Sequence, residues 1–277
     1  MKSRSLIKLF TCLVILVTVR TTWAEDKTDE RRTWCSIYSQ AQYLAGEFSG
    51  DSGAGNLDRK NLSLGVRCNY NRRSWLTLAM ESAISYGTLD VSYLTSDLSG
   101  AAAYRTMGIM ESLGASFKVH QSVELFVLAG VEIANANRFE LQAVSYDFGN
   151  GPVDLTYLAA GRLSSNGRLE MGNVEAGVEI QSGWHNLSFI FGASYQRIHM
   201  VFRFNVDEET RHLLEILKVD QTKIVNRVIE KWANSGSLVP GIKWNGENFK
   251  LSFKLNGGLV KKNKWLFGGF LQAEIPF

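Results

Sequence analysis

Two cysteines, four histidines and a set of charged residues at alternate positions carry most of the chemistry open to this sequence. Cys35 and Cys68 are the only thiols beyond residue 24. Local alternation puts both on apolar faces, toward the same end of the first two extended segments. Antiparallel neighbours bring such positions to disulfide distance, about 4.4–6.8 Å between Cα atoms. The alternative is two buried free thiols. His120, His185, His199 and His212 do not stand at ligand spacing with Cys or Asp, so no metal site and no cofactor is expected. No catalytic residue is expected either, because a serine or carboxylate needs a positioned base or partner and none is evident.

The charged residues are more informative. Arg67, Glu81, Glu132, Glu175, Glu179, Lys243 and Lys254, together with Lys250, Gln272 and Glu274, alternate with apolar neighbours. If the apolar faces point outward, these side chains share an enclosed interior of mixed sign. That interior is either ion-paired and plugged or a narrow water-filled passage, and mixed signs argue against selectivity for one charge. Glu111 breaks the pattern. In phase with Arg105, Met107 and Ile109 it would face outward, so a β-bulge is expected near Ser112, turning Glu111 inward with the other charges and Tyr104, Thr106, Gly108 and Met110 outward.

The elements that must position these groups are strands. Val123, Leu125, Val127, Ala129, Val131 and Ile133 share one face. So do Phe249, Leu251, Phe253, Leu255, Gly257 and Leu259, and so do Trp265, Phe267, Gly269, Leu271, Ala273, Ile275 and Phe277. Period two is the half-buried strand signal, and runs of about 9–13 residues suit a tilted crossing of a bilayer. Short turns at 71–73, 120–121, 183–186 and 245–247 alternate with long connections at 49–59, 87–103 and 199–236. Arg138–Phe148 and Pro152–Leu163 flank the tight-turn sequence Gly149-Asn150-Gly151. If both cross the membrane there are 12 strands, the favoured count; if they only prolong a hairpin outside it, there are 10. Trp75, Tyr86, Tyr104, Trp184, Tyr195, Trp244 and Trp265 stand near strand ends, where aromatic rings anchor such barrels.

Residues 207–234 differ. Leu213, Leu214, Leu217, Ile224, Val225, Val228, Ile229 and Trp232 recur at helical spacing, with Asp207 as a cap. One or two amphipathic helices are expected there, within the longest loop, where they could pack on the rim, lid the mouth or meet a surface partner.

The formal net charge is +3 over 277 residues. Lys2, Arg4, Lys8 and Arg20 stand in residues 1–24, which hold no acid. The rest is close to neutral, which disfavours a nucleic-acid partner. The same 24 residues read as a signal peptide: a basic start, an apolar run from Leu9 to Val19, and Thr22-Trp23-Ala24 at the cut. Residues 25–33 then form a short periplasmic segment and 34–277 the barrel.

From about residue 34 to Phe277 the chain resembles bacterial outer-membrane β-barrel proteins. The final alternating strand ending on Phe277 is the most specific element, although Pro276 before it departs slightly from the pattern. The resemblance implies an up-and-down antiparallel transmembrane barrel in the bacterial outer membrane. It implies contact with lipid and lipopolysaccharide, and assembly by machinery that reads Phe277. Leu163-Ser164-Ser165-Asn166-Gly167-Arg168 also looks like the active-site segment of outer-membrane phospholipase A. Aligning Ser165 with that family's nucleophile, however, puts Leu163 where its histidine belongs, so lipase activity is not expected. The leading expectation is a narrow passive pore for small solutes and not an enzyme. The alternative is a surface interaction or adhesion protein acting through its outer loops.

Overall fold

The computed structural model describes residues 33–50, 53–94, 98–147, 149–184, 186–216, 228–260 and 264–277. The signal-peptide reading of 1–24 and all of the 25–33 segment except Thr33 lie outside the described residues. The strands are β1 (Thr33–Gly50), β2 (Gly53–Arg73), β3 (Leu76–Leu94), β4 (Leu98–His120), β5 (Val123–Asp147), β6 (Pro152–Asp154), β7 (Leu163–Gln181), β8 (Leu187–Val206), β9 (Val228–Asn245), β10 (Lys250–Val260) and β11 (Lys264–Pro276). A single helical turn, α1 (Thr156–Ala159), follows β6, and α2 (Glu208–Ile216) follows β8.

The sheet is antiparallel and closes on itself: β1 pairs with both β2 and β11, and β4 with β5. Ten long strands form the ring, and three-residue β6 pairs only with β5. The count of 12 is therefore corrected to 10 among the described residues. Arg138–Asp147 continues β5, and the hairpin folds back on it. Gly149 and Gly151 take φ +95° and +106°, a region open to glycine at little cost. The Asp147 carboxylate accepts hydrogen bonds from both of their N–H groups, at 2.8 and 3.0 Å.

Register partners followed from Trp34 run through Asn69, Ala79, Gly114, Leu128, Glu175, Ser194, Ser237, Gly258 and Leu266. They return to β1 at Gly46, 12 residues beyond Trp34. That stagger over ten strands corresponds to a tilt of about 40° and a radius of roughly 10 Å.

Outward faces are apolar through the middle of the barrel: Leu62, Leu64, Met80, Ile84, Leu113, Val131, Phe191, Leu238, Phe253 and Leu271 are all exposed. Exposed Trp75, Phe117, Trp184 and Trp244 lie toward the end that carries Thr33, Phe277 and the short turns, the periplasmic end. Exposed Tyr43, Tyr86 and Tyr195 mark the other boundary. From Phe117 to Met107, the register partner of Tyr86, the rise is about 25 Å at this tilt, the height of an apolar membrane band. Tyr104 leaves this girdle; it is buried inside.

Beyond the tyrosines the pattern inverts. Leu89, Tyr93, Ala102, Tyr104, Ala136, Leu169, Met200 and Phe202 face inward and form one core, while Arg105, Arg168, Arg197 and Arg203 lie on exposed faces. The barrel continues past the membrane. Most of 49–59 and 87–103, expected as loops, is therefore strand. Interior glycines make room for rings: a Cβ at Gly65 would meet Tyr38 Cζ at 2.9 Å, and one at Gly167 would meet Phe202 Cδ1 at 2.5 Å.

Candidate functional site

The interior is a stack of three chemically distinct zones. Inward alternation on neighbouring strands builds each one, because every second residue of ten strands converges on the axis.

The periplasmic zone is a polar vestibule of about 190 Å³. Arg67 bridges Glu81 and Glu274, the latter at 3.1 Å. Ser36 Oγ donates to the same Glu274 at 2.7 Å. Lys243 donates to Glu179 at 2.9 Å and Lys254 to Glu175 at 2.6 Å. Lys254 stands on β10 and Glu175 on β7, so that pair crosses the lumen. Of the residues expected to line the interior, Arg67, Glu81, Glu175, Glu179, Lys243 and Lys254 converge there, joined by Lys250, Gln272 and Glu274, while Glu132 lies inside in the zone beyond.

Glu111 does not. Strand β4 runs regularly past it, opposite Ser82 and Val131, with no register shift nearby. The bulge expected at Ser112 is absent and Glu111 stays exposed on the outer face. Irregularities of β4 and β5 fall instead at Ala101/Ala102, Ala103/Arg105 and Lys118/His120. Thr106 is accordingly buried inside rather than turned outward.

The second zone is the buried pair Arg59–Glu132, 1% and 4% exposed. Arg59 engages both carboxylate oxygens, through Nη1 at 2.9 Å and through Nη2. Ser85 Oγ donates to Glu132 Oε1 at 2.7 Å, and Arg59 Nη1 also meets Met171 Sδ at 3.3 Å. Sequence reasoning missed Arg59 because it placed residues 49–59 in a loop. The usable signal was that Leu57, Arg59, Asn61 and Ser63 continue the inward phase of β2 without a break.

The third zone is apolar. Behind the Arg59–Glu132 layer lies the extracellular core and a cavity of about 100 Å³, walled by residues such as Tyr93, Tyr104, Phe139, Met200, Phe202 and Phe204. Lys231 also borders it, its Nζ 5.4 Å from the centroid of the Tyr93 ring. Tyr104 packs against Phe202 and Phe139, with ring centroids 4.9 and 5.5 Å apart. Its hydroxyl donates to Ser165 Oγ at 3.0 Å. Ser165 thus meets a phenol, and no histidine hydrogen-bonds to it among the described residues.

His199 faces outward. Its Nε2 lies 2.8 Å from Glu230 Oε1 and its Nδ1 3.3 Å from Glu170 Oε2. Its ring stacks on Trp232 at 3.7 Å, with Arg197 4.1 Å from that ring's centroid. The group braces β7, β8 and β9 just beyond the tyrosine boundary. No group of three or more His, Cys, Asp or Glu that could hold a metal occurs among the described residues.

Cys35 and Cys68 are register partners and form a disulfide, with Cα atoms 4.1 Å apart. Phe277 N–H donates to Cys35 O at 2.9 Å, which ties the chain end to the first strand.

Of the helical insertion expected over 207–234, Glu208–Ile216 is helical. Residues 217–227 lie outside the described residues, and Val228–Asn234 is corrected to strand, the start of β9. There the apolar and polar residues pair with β8 in regular register. Asp207 caps α2, accepting from Thr210 N–H at 2.8 Å. Hydrogen bonds from Thr210 hold the Asp207 carboxyl below the usual carboxylate range. A depressed folded pKa stabilises above the unfolded value and is lost as pH falls through the folded one. Acidification through that range, or Asp207→Ala at neutral pH, is expected to speed amide exchange at Thr210 and Arg211. Unchanged exchange in the variant would remove the cap.

No family model matches the chain and no curated protein matches it. Among solved structures it is similar to the outer-membrane protease OmpT from Escherichia coli, at 7% identity and TM-score 0.50, over 91% of this chain and 99% of that one. It is also similar to the translocator domain of autotransporter NalP from Neisseria meningitidis, at 12% identity and TM-score 0.43, over 99% and 98% of the two chains. The beta domain of the Bordetella autotransporter BrkA gives 8% identity and TM-score 0.46, over 87% and 98%. At these identities the likeness is one of fold. The chain has the fold of bacterial outer-membrane β-barrels, and its outward apolar belt makes it a protein of that membrane.

Proposed function

We propose that this chain is a closed outer-membrane barrel that works at its extracellular end, as a surface-binding protein. One observation carries the reading: the interior between the vestibule and the outer mouth excludes solvent. Arg59, Leu89, Leu169, Met200 and Thr106 are each under 2% exposed, whereas the walls of a continuous aqueous passage would be wetted. Binding chemistry then falls to the protruding barrel, its apolar cavity and α2, and the apolar cavity favours a hydrophobic group.

The second reading is a narrow passive pore. The polar vestibule favours it, and it requires the Arg59–Glu132 layer to move. Reconstitution in planar bilayers separates the two. Correctly folded protein, identified by its heat-modifiable migration, is expected to give no stable single-channel steps. Reproducible steps from the unmodified chain would sink the closed-barrel reading and favour the pore.

Contact with lipopolysaccharide around the outer face, and assembly through the terminal Phe277, complete the proposal. Among the described residues no arrangement supports a catalytic role for Ser165: a nucleophilic serine needs a base within hydrogen-bond reach, and Tyr104 supplies a donor instead.

A further inference from the structure

Glu111 is the least explained residue of the membrane-facing surface. It shares the outer face of β4 with Met107, Ile109 and Leu113. It lies six residues from Phe117 and four from Met107, so it stands about 15 Å above the lower boundary of a band about 25 Å high. It makes no hydrogen bond or ion pair within the described residues. An ionisable group in hydrocarbon is costly, and where one persists it generally serves a function.

Its register neighbour supplies the missing half of an interaction. Ser82 on β3 is directly opposite Glu111. It is half-buried on the same outer face and likewise makes no side-chain hydrogen bond within the described residues. A hydroxyl donor and a carboxyl acceptor on adjacent strands, at nearly one height, form a self-complementary pair. A two-fold axis along the membrane normal, passing between them, sets each Glu111 against the other copy's Ser82. Isologous interfaces are built this way, and polar pairs join membrane segments where water cannot compete. The surrounding outer surface is aliphatic: Met80, Ile84, Leu113 and Val131. The outward cations Lys60, Arg105 and Arg197 stand near or beyond the tyrosine boundary, too far along their strands to serve Glu111 within one chain.

We propose that the outer face of β3 and β4 is the interface of a membrane dimer of this chain, closed by two reciprocal Ser82–Glu111 hydrogen bonds. In each, the Ser82 hydroxyl donates to the Glu111 carboxyl of the second copy. The inference does not depend on what the extracellular end binds.

The test is the association of full-length mature protein, donor- and acceptor-labelled, in lipid vesicles diluted stepwise with lipid. The unmodified chain is expected to show energy transfer that falls with dilution along a monomer–dimer curve. Glu111→Leu and Ser82→Ala are each expected to weaken association at least tenfold while keeping heat-modifiable migration. Glu111→Gln, whose amide oxygen still accepts, is expected to stay within a few-fold of the unmodified chain. The double variant should be no weaker than either single change. Energy transfer at background level for the unmodified chain would overturn the proposal. So would a Glu111→Leu variant that associates like it, or losses from the two single changes that simply add.

Discussion

Glu132→Ala is expected to destabilise the folded barrel by about 3–5 kcal/mol, the cost of leaving a buried charge uncompensated. The residue left behind is Arg59, 1% exposed, whose guanidinium would face Met171 and a vacated cavity with no carboxylate. Ser85 would lose its acceptor as well. The same principle separates the pair's own worth from the penalty of breaking it: replacing both partners by apolar residues of similar volume is often neutral or stabilising. The double variant Arg59→Met with Glu132→Leu should therefore recover most of the loss. Urea unfolding in detergent micelles, followed by tryptophan fluorescence, measures both. A single variant that loses less than about 1 kcal/mol would mean that water reaches Arg59, and the sealed layer would have to be abandoned.

The disulfide gives the second large effect. Cys35 and Cys68 close a loop of sequence separation 33, for which the chain-entropy estimate is about 3–4 kcal/mol. Reduction, or Cys35→Ser with Cys68→Ser, should lower the urea midpoint accordingly. The bridge joins β1 to β2 at the periplasmic ends, next to the β1–β11 seam that closes the ring. Recovery after reduction should therefore be poorest in refolding, where the first and last strands must find each other across the whole sequence. Alkylation of both thiols under non-reducing denaturation, or an unchanged midpoint with dithiothreitol, would contradict the bridge's role.

How much of this was legible before the structure depended on depth. Within the membrane band, alternation such as Val123 to Ile133 or Leu251 to Leu255 gave fold, facing and most of the interior charges, because hydrocarbon outside forces one polarity on each face. Beyond the tyrosines the outer medium is water and the constraint reverses. Ile198, Met200 and Phe202 are in phase with inward Ser188 and Ile190, not with outward Phe189 and Phe191. A reading tuned to one polarity therefore met a phase change and assigned a loop. Arg59 was lost that way, and with it the partner of Glu132.

The strand count failed for a related reason. Arg138–Asp147 alternates like a new crossing, but nothing local distinguishes a new strand from a prolonged one. The continued pairing of this stretch with β4, from Ala103 with Glu140 to Leu98 with Tyr146, decides it. Glu111 was misplaced by assuming that the cost of a carboxyl facing lipid would force a bulge at Ser112. A regular backbone was kept and the carboxyl left outside, which a single sequence cannot announce. Over 228–234, apolar residues at helical spacing also fit a strand once Trp232 and His199 face each other across β8 and β9.

The reversal of polarity near Tyr43, Tyr86 and Tyr195 gives the barrel its own waterline. Sinking by two residues along each strand, about 5 Å at this tilt, would draw Arg197 and Glu170 into hydrocarbon. Rising by the same amount would lift Leu238 and Phe267 toward the sugars of the outer leaflet. Both displacements cost energy, so the protein floats at a set draught. A fixed draught holds the mouth, α2 and the apolar cavity at a constant height above the lipid, where any visitor must first pass through the saccharide layer to meet them.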